Sequence, residues 1–230
     1  MKNIERLKAS NIFDGVTGEV LAANVVSIIK SYAETENLYS SAIREVSTKL
    51  ENLNEEFKYL KDHNPIHQIK SRIKTPMSIY RKLQRRGQEL TVESARINLT
   101  DIAGIRVICS YIDDIYLIAE LLTSQDDIGV IRRTDYILNP KPNGYRSLHL
   151  IVTVPVFLSN RTEIVNVEVQ IRTIAMDFWA SLEHELTYKL TGRKTKAVIV
   201  ELKECADVIA DTDNRMQNLY KNIANLEKLR

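Results

Sequence analysis

The sequence predicts a fold of the mixed α and β class (α/β, of the α+β kind), with one β-sheet flanked by helices and helical regions at both ends. Two observations support this prediction. Apolar residues recur three and four positions apart in the first third of the chain and again after residue 173. Between these regions, short segments alternate apolar and polar residues, as strands with one buried face do. A chain of 230 residues is long enough to bury one such core.

The first elements in chain order are helical. Residues 19–34 and 36–62 both carry apolar side chains at helical spacing, and a proline soon follows the second block. Residues 67–74 are predicted as a short strand. Pro76 suits the first turn of the basic helix that comes next, which we expect to end near Gly87.

The middle of the chain alternates between strands and helices. An amphipathic helix is predicted at 113–124, and helices return at 174–190 and 197–229. The remaining predicted strands cover residues 104–110, 128–138, 147–154 and 163–171.

The two last strands show which face is buried. The faces that we expect in the core carry Leu148, Leu150, Val152 and Val154 on one strand and Val165, Val167, Val169 and Ile171 on the other. The opposite face of the last strand is polar, with Asn166, Glu168, Gln170 and Arg172. A sheet with one apolar and one polar face suits a covered floor with a binding cleft above it.

Composition excludes several classes of protein. Hydrophobic residues make up 44% and charged residues 27%, which is typical of a globular protein. The sequence contains no run of 18 apolar residues, which is the length needed to cross a membrane. The cysteines, Cys109 and Cys205, give neither a disulfide framework nor a zinc-binding spacing. The N-terminus shows no apolar signal core, so we expect a cytoplasmic protein that does not engage a membrane.

Charge is concentrated in one segment. The chain has 32 basic and 30 acidic residues, a net charge of +2, yet residues 70–86 contain seven Lys or Arg and no acid. A dense cationic segment on an almost neutral protein indicates a local anion site more than a surface that coats nucleic acid.

This basic segment has the chemistry of a polyphosphate site. In a helix that begins at the proline, Ser78, Lys82 and Arg85 share one face. Arg72 and Lys74 share one face of the preceding strand. Converging cations at a helix N-terminus suit a chain of phosphates. A solvated basic helix or a nonspecific RNA surface is an alternative of equal weight.

Two acidic residues and one arginine stand out beside predicted strands. Asp101 precedes an apolar strand, where it can hold Mg²⁺ at the strand mouth or simply cap a turn. Arg106 lies inside that strand, where a guanidinium needs a partner and can stack on a base. Glu168 lies in mid-strand and can bind a metal or accept a proton from a hydroxyl. An ion pair with an arginine is the more frequent role of such a glutamate.

A predicted tight turn at residues 142–144 presents Tyr145. An exposed tyrosine beside Lys141 and Arg146 can stack on a nucleobase and leave the cations for phosphates. The alternative is a hairpin whose tyrosine packs on the core, with His149 in a structural role. Together, these motifs fit a magnesium-dependent enzyme that moves a phosphoryl group between nucleotides.

The same motifs resemble the synthetase domain of the RelA/SpoT family, and more closely its short branch, the small alarmone synthetases. The strings are S-R-I-K-T from Ser71, D-I-A-G-I-R from Asp101, N-G-Y-R-S-L-H from Asn143 and E-V-Q-I-R-T from Glu168. The resemblance implies a nucleotidyltransferase-like mixed sheet. It also implies an N-terminal helical region (1–66), a synthetase core (67–192) and a C-terminal helical oligomerisation region (193–230).

The resemblance implies an activity as well. It is the transfer of the β,γ-pyrophosphate of ATP to the 3′-hydroxyl of GDP or GTP, which yields AMP and ppGpp or pppGpp for the bacterial stringent response. Mg²⁺ is the implied cofactor. Residues 1–66 contain one histidine, His63, and no His-Asp pair of the hydrolase type, so we expect synthesis without hydrolysis.

The resemblance also assigns roles to individual residues. Arg72 and Arg106 would sandwich adenine, and Asp101 would bind the metal, which Glu168 would share while it activates the 3′-hydroxyl. The ATP phosphates would be held by Lys74, Ser78, Lys82 and Arg85. The GDP or GTP site would comprise Tyr145, which stacks on guanine, with Asn143, His149, Gln170, Lys141 and Arg146.

The terminal helices have two possible roles. The resemblance favours a homotetramer built with the terminal helices, whereas the alternative is that these helices fold back on the sheet. In some relatives the product or single-stranded RNA binds a central cleft of the tetramer, which makes RNA a candidate regulator.

The main rival to the synthetase function is a non-catalytic RNA-binding module that uses residues 70–86. It predicts strongly salt-dependent RNA binding but gives no role to Asp101 or Glu168.

Overall fold

The structure, a computed structural model, describes residues 18–189 and 196–227, and the side chains of residues 33–186 and 197–226. The chain divides into two compact units, Met1–Asn37 and Leu38–Arg230. The described part of the first unit is helical. Residues 1–17 and 228–230, which belong to the predicted terminal regions, lie outside the described residues, and so does the predicted boundary after residue 192.

Helix α1 (Gly18–Leu60) is one helix where the sequence predicted two blocks. The residues around the junction of the two blocks are largely exposed and include Ala33, Glu34 and Glu36. These are good helix formers, so the helix continues although its apolar stripe is interrupted. In the second unit, Ala42, Val46 and Leu50 of α1 are fully buried in the core.

Within residues 18–189 and 196–227, five strands form one mixed sheet, as predicted. They are β1 (Ile66–Ile73), β2 (Ala103–Cys109), β3 (Gly129–Asp135), β4 (Leu148–Phe157) and β5 (Thr162–Thr173). Their spatial order is β1-β2-β5-β4-β3, with β2 and β5 parallel and the other pairs antiparallel. This topology places β1, β2 and β5, which carry Arg72, Arg106, Glu168 and Gln170 of the predicted site, next to one another.

Five further helices of the described part of the chain surround the sheet. They are α2 (Pro76–Arg85), α3 (Val92–Asn98), α4 (Ile112–Thr123), α5 (Ile174–Lys189) and α6 (Lys196–Glu227). Pro76 does begin α2, and the Thr75 hydroxyl caps it by accepting from the Ser78 amide. The sequence analysis missed α3, because seven residues are too few to show a helical period. None of the helices in the described part of the chain is long and apolar enough to span a membrane.

The predicted core faces of β4 and β5 are buried. Leu148, Leu150 and Val167 are fully inaccessible, and α1 and α4 contribute to the same cluster. On the opposite face of β5, Glu168 and Gln170 are half-buried. One prediction needs correction: Arg172 was expected on an open polar face, but only 3% of it is exposed. It is buried because side chains from the 145 turn and α5 close over the end of the strand.

Helix α6 packs back against the body of the second unit with one of its faces. The Thr173 hydroxyl donates to the Asp213 carboxylate (2.6 Å), and the Trp179 indole donates to the Leu202 carbonyl (2.9 Å). At the far end of the helix, Gln217 accepts from the Asp113 amide (2.9 Å). The other face of α6 leaves large apolar side chains exposed, among them Val208, Met216, Leu219, Ile223 and Leu226.

Candidate active site

A cleft of about 280 Å³ lies on the polar face of the sheet, where β1, β2 and β5 are neighbours. Strand pairing places Arg72, Gly104 and Glu168 in one row across these strands. Because glycine has no side chain, this row is open between the arginine and the glutamate. A Cβ built on Gly104 would lie 3.7 Å from Cγ of Arg72, so the arginine side chain passes beside this gap.

The next row holds Lys70, Arg106 and Gln170 and continues to His149 on β4. Directly opposed residues on neighbouring strands lie on the same face of the sheet. The two rows therefore form a floor with cations on β1 and β2 and a carboxylate on β5. The structure thus brings the predicted adenine-binding arginines to one cleft with Glu168 and Gln170.

Asp101 is the centre of an ion-pair cluster. Its Oδ2 accepts from Nζ of Lys74 (2.7 Å) and from Nζ of Lys82 (2.6 Å), whereas its Oδ1 is buried without a hydrogen-bond partner. Burial alone would raise the pKa of Asp101, but the hydrogen bonds and charges of the two lysines outweigh it and lower the pKa. Asp101 is therefore held as a carboxylate with one free oxygen.

The cations of α2 are divided between two places. Lys82 turns to Asp101, whereas Ser78 and Arg85 line a second recess together with Lys74 and Arg81. The predicted common face of Ser78, Lys82 and Arg85 therefore serves two neighbouring sites. Arg81 was not among the predicted site residues, although it lies in the same basic segment.

Glu168 belongs to a closed ring of polar contacts. Its Oε2 accepts from the Gln170 amide (2.9 Å), and the Gln170 carbonyl oxygen accepts from Nη2 of Arg172 (2.6 Å). The same Nη2 donates to the Tyr145 hydroxyl (2.7 Å), which is 2.8 Å from Nε2 of His149. Nδ1 of His149 lies 3.7 Å from Oε1 of Glu168 and closes the ring. The ring fixes the carboxylate and the tyrosine relative to each other.

The ring also sets the charge state of two of its members. Burial raises the pKa of Glu168 when taken alone, but hydrogen bonding and charge from His149 and the hydrogen bond from Gln170 lower it overall. Burial raises the pKa of Tyr145, although the charge of Arg172 opposes this. Glu168 is therefore an ionised proton acceptor, and Tyr145 remains a neutral phenol.

Arg172 and Asp177 are site residues that the sequence analysis missed. Asp177 Oδ1 lies 3.2 Å from Nη1 of Arg172 and 3.1 Å from Nη1 of Arg106. Asp177 is therefore the partner that a guanidinium inside the apolar strand was expected to need. Arg172 follows Glu168 and Gln170 at alternate positions of β5. This position on the polar face is the feature of the sequence that indicates a role in the site.

The turn that carries Tyr145 forms as predicted, but it does not expose the ring. The Gly144 amide donates to the Lys141 carbonyl (2.8 Å), and the Asn143 side-chain oxygen accepts from the Tyr145 amide (3.2 Å). Tyr145 is half-buried because its hydroxyl is bonded within the ring of contacts and its ring lies close to Arg172. Nζ of Lys141 lies 4.7 Å from the centroid of this ring. Asn143 thus shapes the turn.

Arg146 lies apart from the other predicted acceptor residues. Its guanidinium donates to the Gly144 carbonyl (3.1 Å) and to the Ala206 carbonyl of α6 (3.3 Å), and it pairs with Asp207 (3.4 Å). The sequence predicted a cation beside the base-stacking tyrosine. The structure instead directs it to α6, a contact between residues 60 positions apart that no local pattern signals.

The residues at the cleft fit a hard divalent cation bound together with a substrate. No group of three or more His, Cys, Asp or Glu that could hold a metal occurs among the residues with described side chains. Mg²⁺, however, is commonly held by one or two carboxylates plus the phosphates of a substrate. The Oδ1 atom of Asp101, which has no hydrogen-bond partner, offers one such ligand. The negative charge of Asp101 is also close enough to Glu168 to raise the pKa of the glutamate. The cleft thus combines an anion site, a potential metal ligand and a proton acceptor.

Comparisons with known proteins agree with this chemistry. A family model described as a region found in RelA/SpoT proteins matches residues 71–193. GTP pyrophosphokinase YwaC of Bacillus subtilis (strain 168) is 46% identical over 186 residues, which cover 81% of this chain and 89% of that protein. Small alarmone synthetase 1 from Bacillus subtilis, solved with its product pppGpp, is 34% identical with a TM-score of 0.75, over 80% of this chain and 94% of that one. Its structure with AMPCPP is 31% identical with a TM-score of 0.74, over 85% and 99% of the two chains.

Proposed function

This chain belongs to the RelA/SpoT family, and we propose that it transfers the β,γ-pyrophosphate of ATP to the 3′-hydroxyl of GDP or GTP. The products are AMP and ppGpp or pppGpp. The observation that carries the proposal is the row Arg72–Gly104–Glu168, where an open position separates a cation from an ionised carboxylate. A donor nucleotide and an acceptor hydroxyl can meet across that gap.

Related proteins support both substrates. The relative that is 46% identical is named as a GTP pyrophosphokinase. The solved relative holds pppGpp in one structure and AMPCPP, an analogue of ATP, in another. We propose ATP as the donor and GDP or GTP as the acceptor for this chain. Because these nucleotides are abundant in the cytoplasm, we propose the same compartment for the activity.

The donor is proposed to bind on β1, β2 and α2. Arg72 and Arg106 lie on adjacent strands, two register positions apart, and their planar guanidiniums suit the two faces of an adenine. The triphosphate would extend to the recess that Arg81 and Arg85 line with Ser78. The recess is close to Asp101, because Lys74 belongs to both places.

The acceptor is proposed to bind beside the 145 turn and the end of β5. Tyr145 would stack on guanine, with Lys141 beside its ring to meet phosphates. His149 and Gln170 would contact the acceptor where they flank Glu168. Gln170 and His149 are direct neighbours across β5 and β4, so they place the nucleotide and the carboxylate on one surface.

Glu168 performs the proton transfer in the proposed reaction. Its carboxylate accepts the proton of the 3′-hydroxyl as the oxygen attacks the β-phosphorus of ATP. The bond between the β-phosphorus and the oxygen that bridges it to the α-phosphorus breaks, and AMP leaves with the bonding pair. Since a 3′-hydroxyl is a very weak acid, proton transfer and attack occur together. Asp101 and Glu168 would provide oxygen ligands for Mg²⁺, which would neutralise phosphate charge when bound.

A transfer assay tests the proposed function. Purified protein is incubated with Mg²⁺, γ-labelled ATP and either GDP or GTP, and the nucleotides are separated. We expect label on the guanosine nucleotide and an equal amount of AMP. The matched control is 3′-deoxy-GTP, which lacks only the acceptor hydroxyl and should remain unlabelled. Absence of transfer to both GDP and GTP, with ATP bound, would contradict the proposal.

The rival function, an RNA-binding module, has less support from the contacts of the basic segment. Lys74 and Lys82 are paired with Asp101, and Lys70 lies 4.0 Å from the Asp177 carboxylate. These cations are therefore arranged around carboxylates of the cleft rather than spread along a surface. We propose residues 67–192 as the synthetase core, since every site residue lies between Lys70 and Asp177, and synthesis alone as its activity.

We also propose that residues 193–230 mediate assembly into a homotetramer. Met216, Leu219, Ile223 and Leu226 are exposed and follow a spacing of three, four and three residues along α6. This spacing forms a narrow apolar seam suited to packing against another helix. Size-exclusion chromatography with light scattering is expected to give four times the chain mass of 26.4 kDa. A monomer at micromolar concentration would contradict assembly through this seam.

A further inference from the structure

The turn that carries Tyr145 is held by α6. We call residues 141–146 the acceptor turn. Its Gly144 and Arg146, the two residues that flank the tyrosine, both contact α6. The predicted chemistry of the site gives α6 no part, because no substrate-binding residue lies on it. The contact therefore needs its own explanation.

Gly144 brings the backbone of the acceptor turn directly against α6. A Cβ at this position would lie 2.4 Å from Cβ of Ala206 and 3.2 Å from Cδ of Lys203. The φ angle of Gly144 is +87°, which also favours glycine. Ala206 is 4% exposed. The turn thus fits against the helix only because both contacting residues are small.

Arg146, the residue that follows the tyrosine, binds the same turn of α6 through its side chain. Its Nη1 bridges the Gly144 carbonyl and the Ala206 carbonyl, and its Nη2 pairs with Asp207. Only 19% of the arginine side chain is exposed. Tyr145 therefore lies between two anchors, one steric and one charged, that end on successive residues of α6.

We propose that Ala206 and Asp207 are positioning residues for the acceptor nucleotide. They act through Gly144 and Arg146 to hold Tyr145 where its ring meets guanine. This inference rests on the proposed function, because it assigns the acceptor to the 145 turn. It also assigns Arg146 to α6 and not to the phosphates. The donor residues lie on β1, β2 and α2, so the positioning should affect the acceptor alone.

Ala206→Leu tests the steric anchor from a residue that touches no substrate. A leucine there displaces Gly144, so we expect the KM for GDP and GTP to rise about tenfold, the loss of one stacking interaction. The KM for ATP should stay within twofold of wild type. The matched control is Cys205→Leu, which adds the same side chain at the neighbouring exposed position and should leave both KM values unchanged.

Asp207→Ala tests the charged anchor without adding bulk. Asp207 is half-exposed, so its loss does not threaten folding. We expect a rise of about threefold in the acceptor KM only. Trp179, the sole tryptophan, donates to the Leu202 carbonyl one turn before Ala206, so its emission reports whether α6 remains docked. Unchanged emission in Asp207→Ala with a raised acceptor KM supports positioning rather than unfolding.

The inference and the proposed function fail in different ways. If wild type does not transfer pyrophosphate, the proposed function is contradicted, and the Kd of GTP for wild type and the two α6 variants, measured by calorimetry, decides the inference. An acceptor KM or Kd that is unchanged in both α6 variants would overturn it. Equal increases for ATP and the acceptor would overturn it as well, because they would show a general loss of structure.

Discussion

Glu168→Gln should lower kcat for pyrophosphate transfer by about 10³-fold, within the range of general base catalysis, while both nucleotides still bind. Glutamine keeps the shape of the side chain and can still accept the hydrogen bond from Gln170, but it cannot take the proton of the 3′-hydroxyl. The measurement is kcat in the transfer assay with the Kd of ATP and of GTP from calorimetry.

One outcome would contradict this prediction. A variant with kcat within tenfold of wild type would show that Glu168 is not the base. Glu163→Gln is a suitable control, because Glu163 lies on the same strand and pairs with Arg161 away from the cleft. It should leave kcat unchanged.

The pH dependence of the reaction gives a second readout of the same residue. Burial alone raises the pKa of Glu168, but His149 and Gln170 outweigh it, so the base stays ionised to lower pH than an ordinary glutamate. Activity that requires the carboxylate is present above this pKa and is lost as pH falls through it. His149→Ala removes the largest of the lowering contributions, so the acidic limb of kcat/KM should move to higher pH.

Much of the fold follows from local patterns. Alternation along β5 placed Val165, Val167 and Val169 in the core and Glu168 and Gln170 on the polar face, because the period of a strand is two. Pro76 indicated the start of α2 in the same way, since proline suits the first position of a helix.

The remaining features depend on contacts that no local pattern contains. Asp101 meets Lys74 and Lys82 because β1 pairs with β2, which brings residues 19 and 27 positions apart together. The alternation along β5 predicts an exposed position for Arg172, yet the tertiary structure buries this residue beside Asp177. Arg146 sits in a cationic turn, and only the docking of α6 shows that its partner is on that helix.

Asp101→Asn should reduce transfer by about 100-fold and should also make ATP binding less dependent on Mg²⁺. The Asp101 carboxylate neutralises Lys74 and Lys82, which are the cations proposed for the ATP phosphates. Phosphates must therefore compete with this carboxylate for the two lysines. Asparagine removes the competitor, so metal-free ATP should bind the variant more tightly than wild type. Calorimetry with EDTA and with Mg²⁺ measures both conditions.

The same substitution should lower stability without nucleotide and should enlarge the stabilisation that nucleotide provides. Without ATP, the variant leaves two ammonium groups beside a neutral amide, so its Tm should fall. With ATP, phosphates replace the lost charge, so the increase in Tm on ligand addition should exceed that of wild type. Asp211→Asn, an exposed residue on α6 paired only with Arg215 among the described contacts, controls for the loss of one negative charge. Weaker metal-free ATP binding by Asp101→Asn would contradict the competition between the carboxylate and the phosphates, and would leave Asp101 as a structural partner of the lysines. Tighter metal-free binding together with lost transfer would show that the carboxylate is needed for chemistry. It would also show that the carboxylate opposes phosphate binding until a cation occupies it.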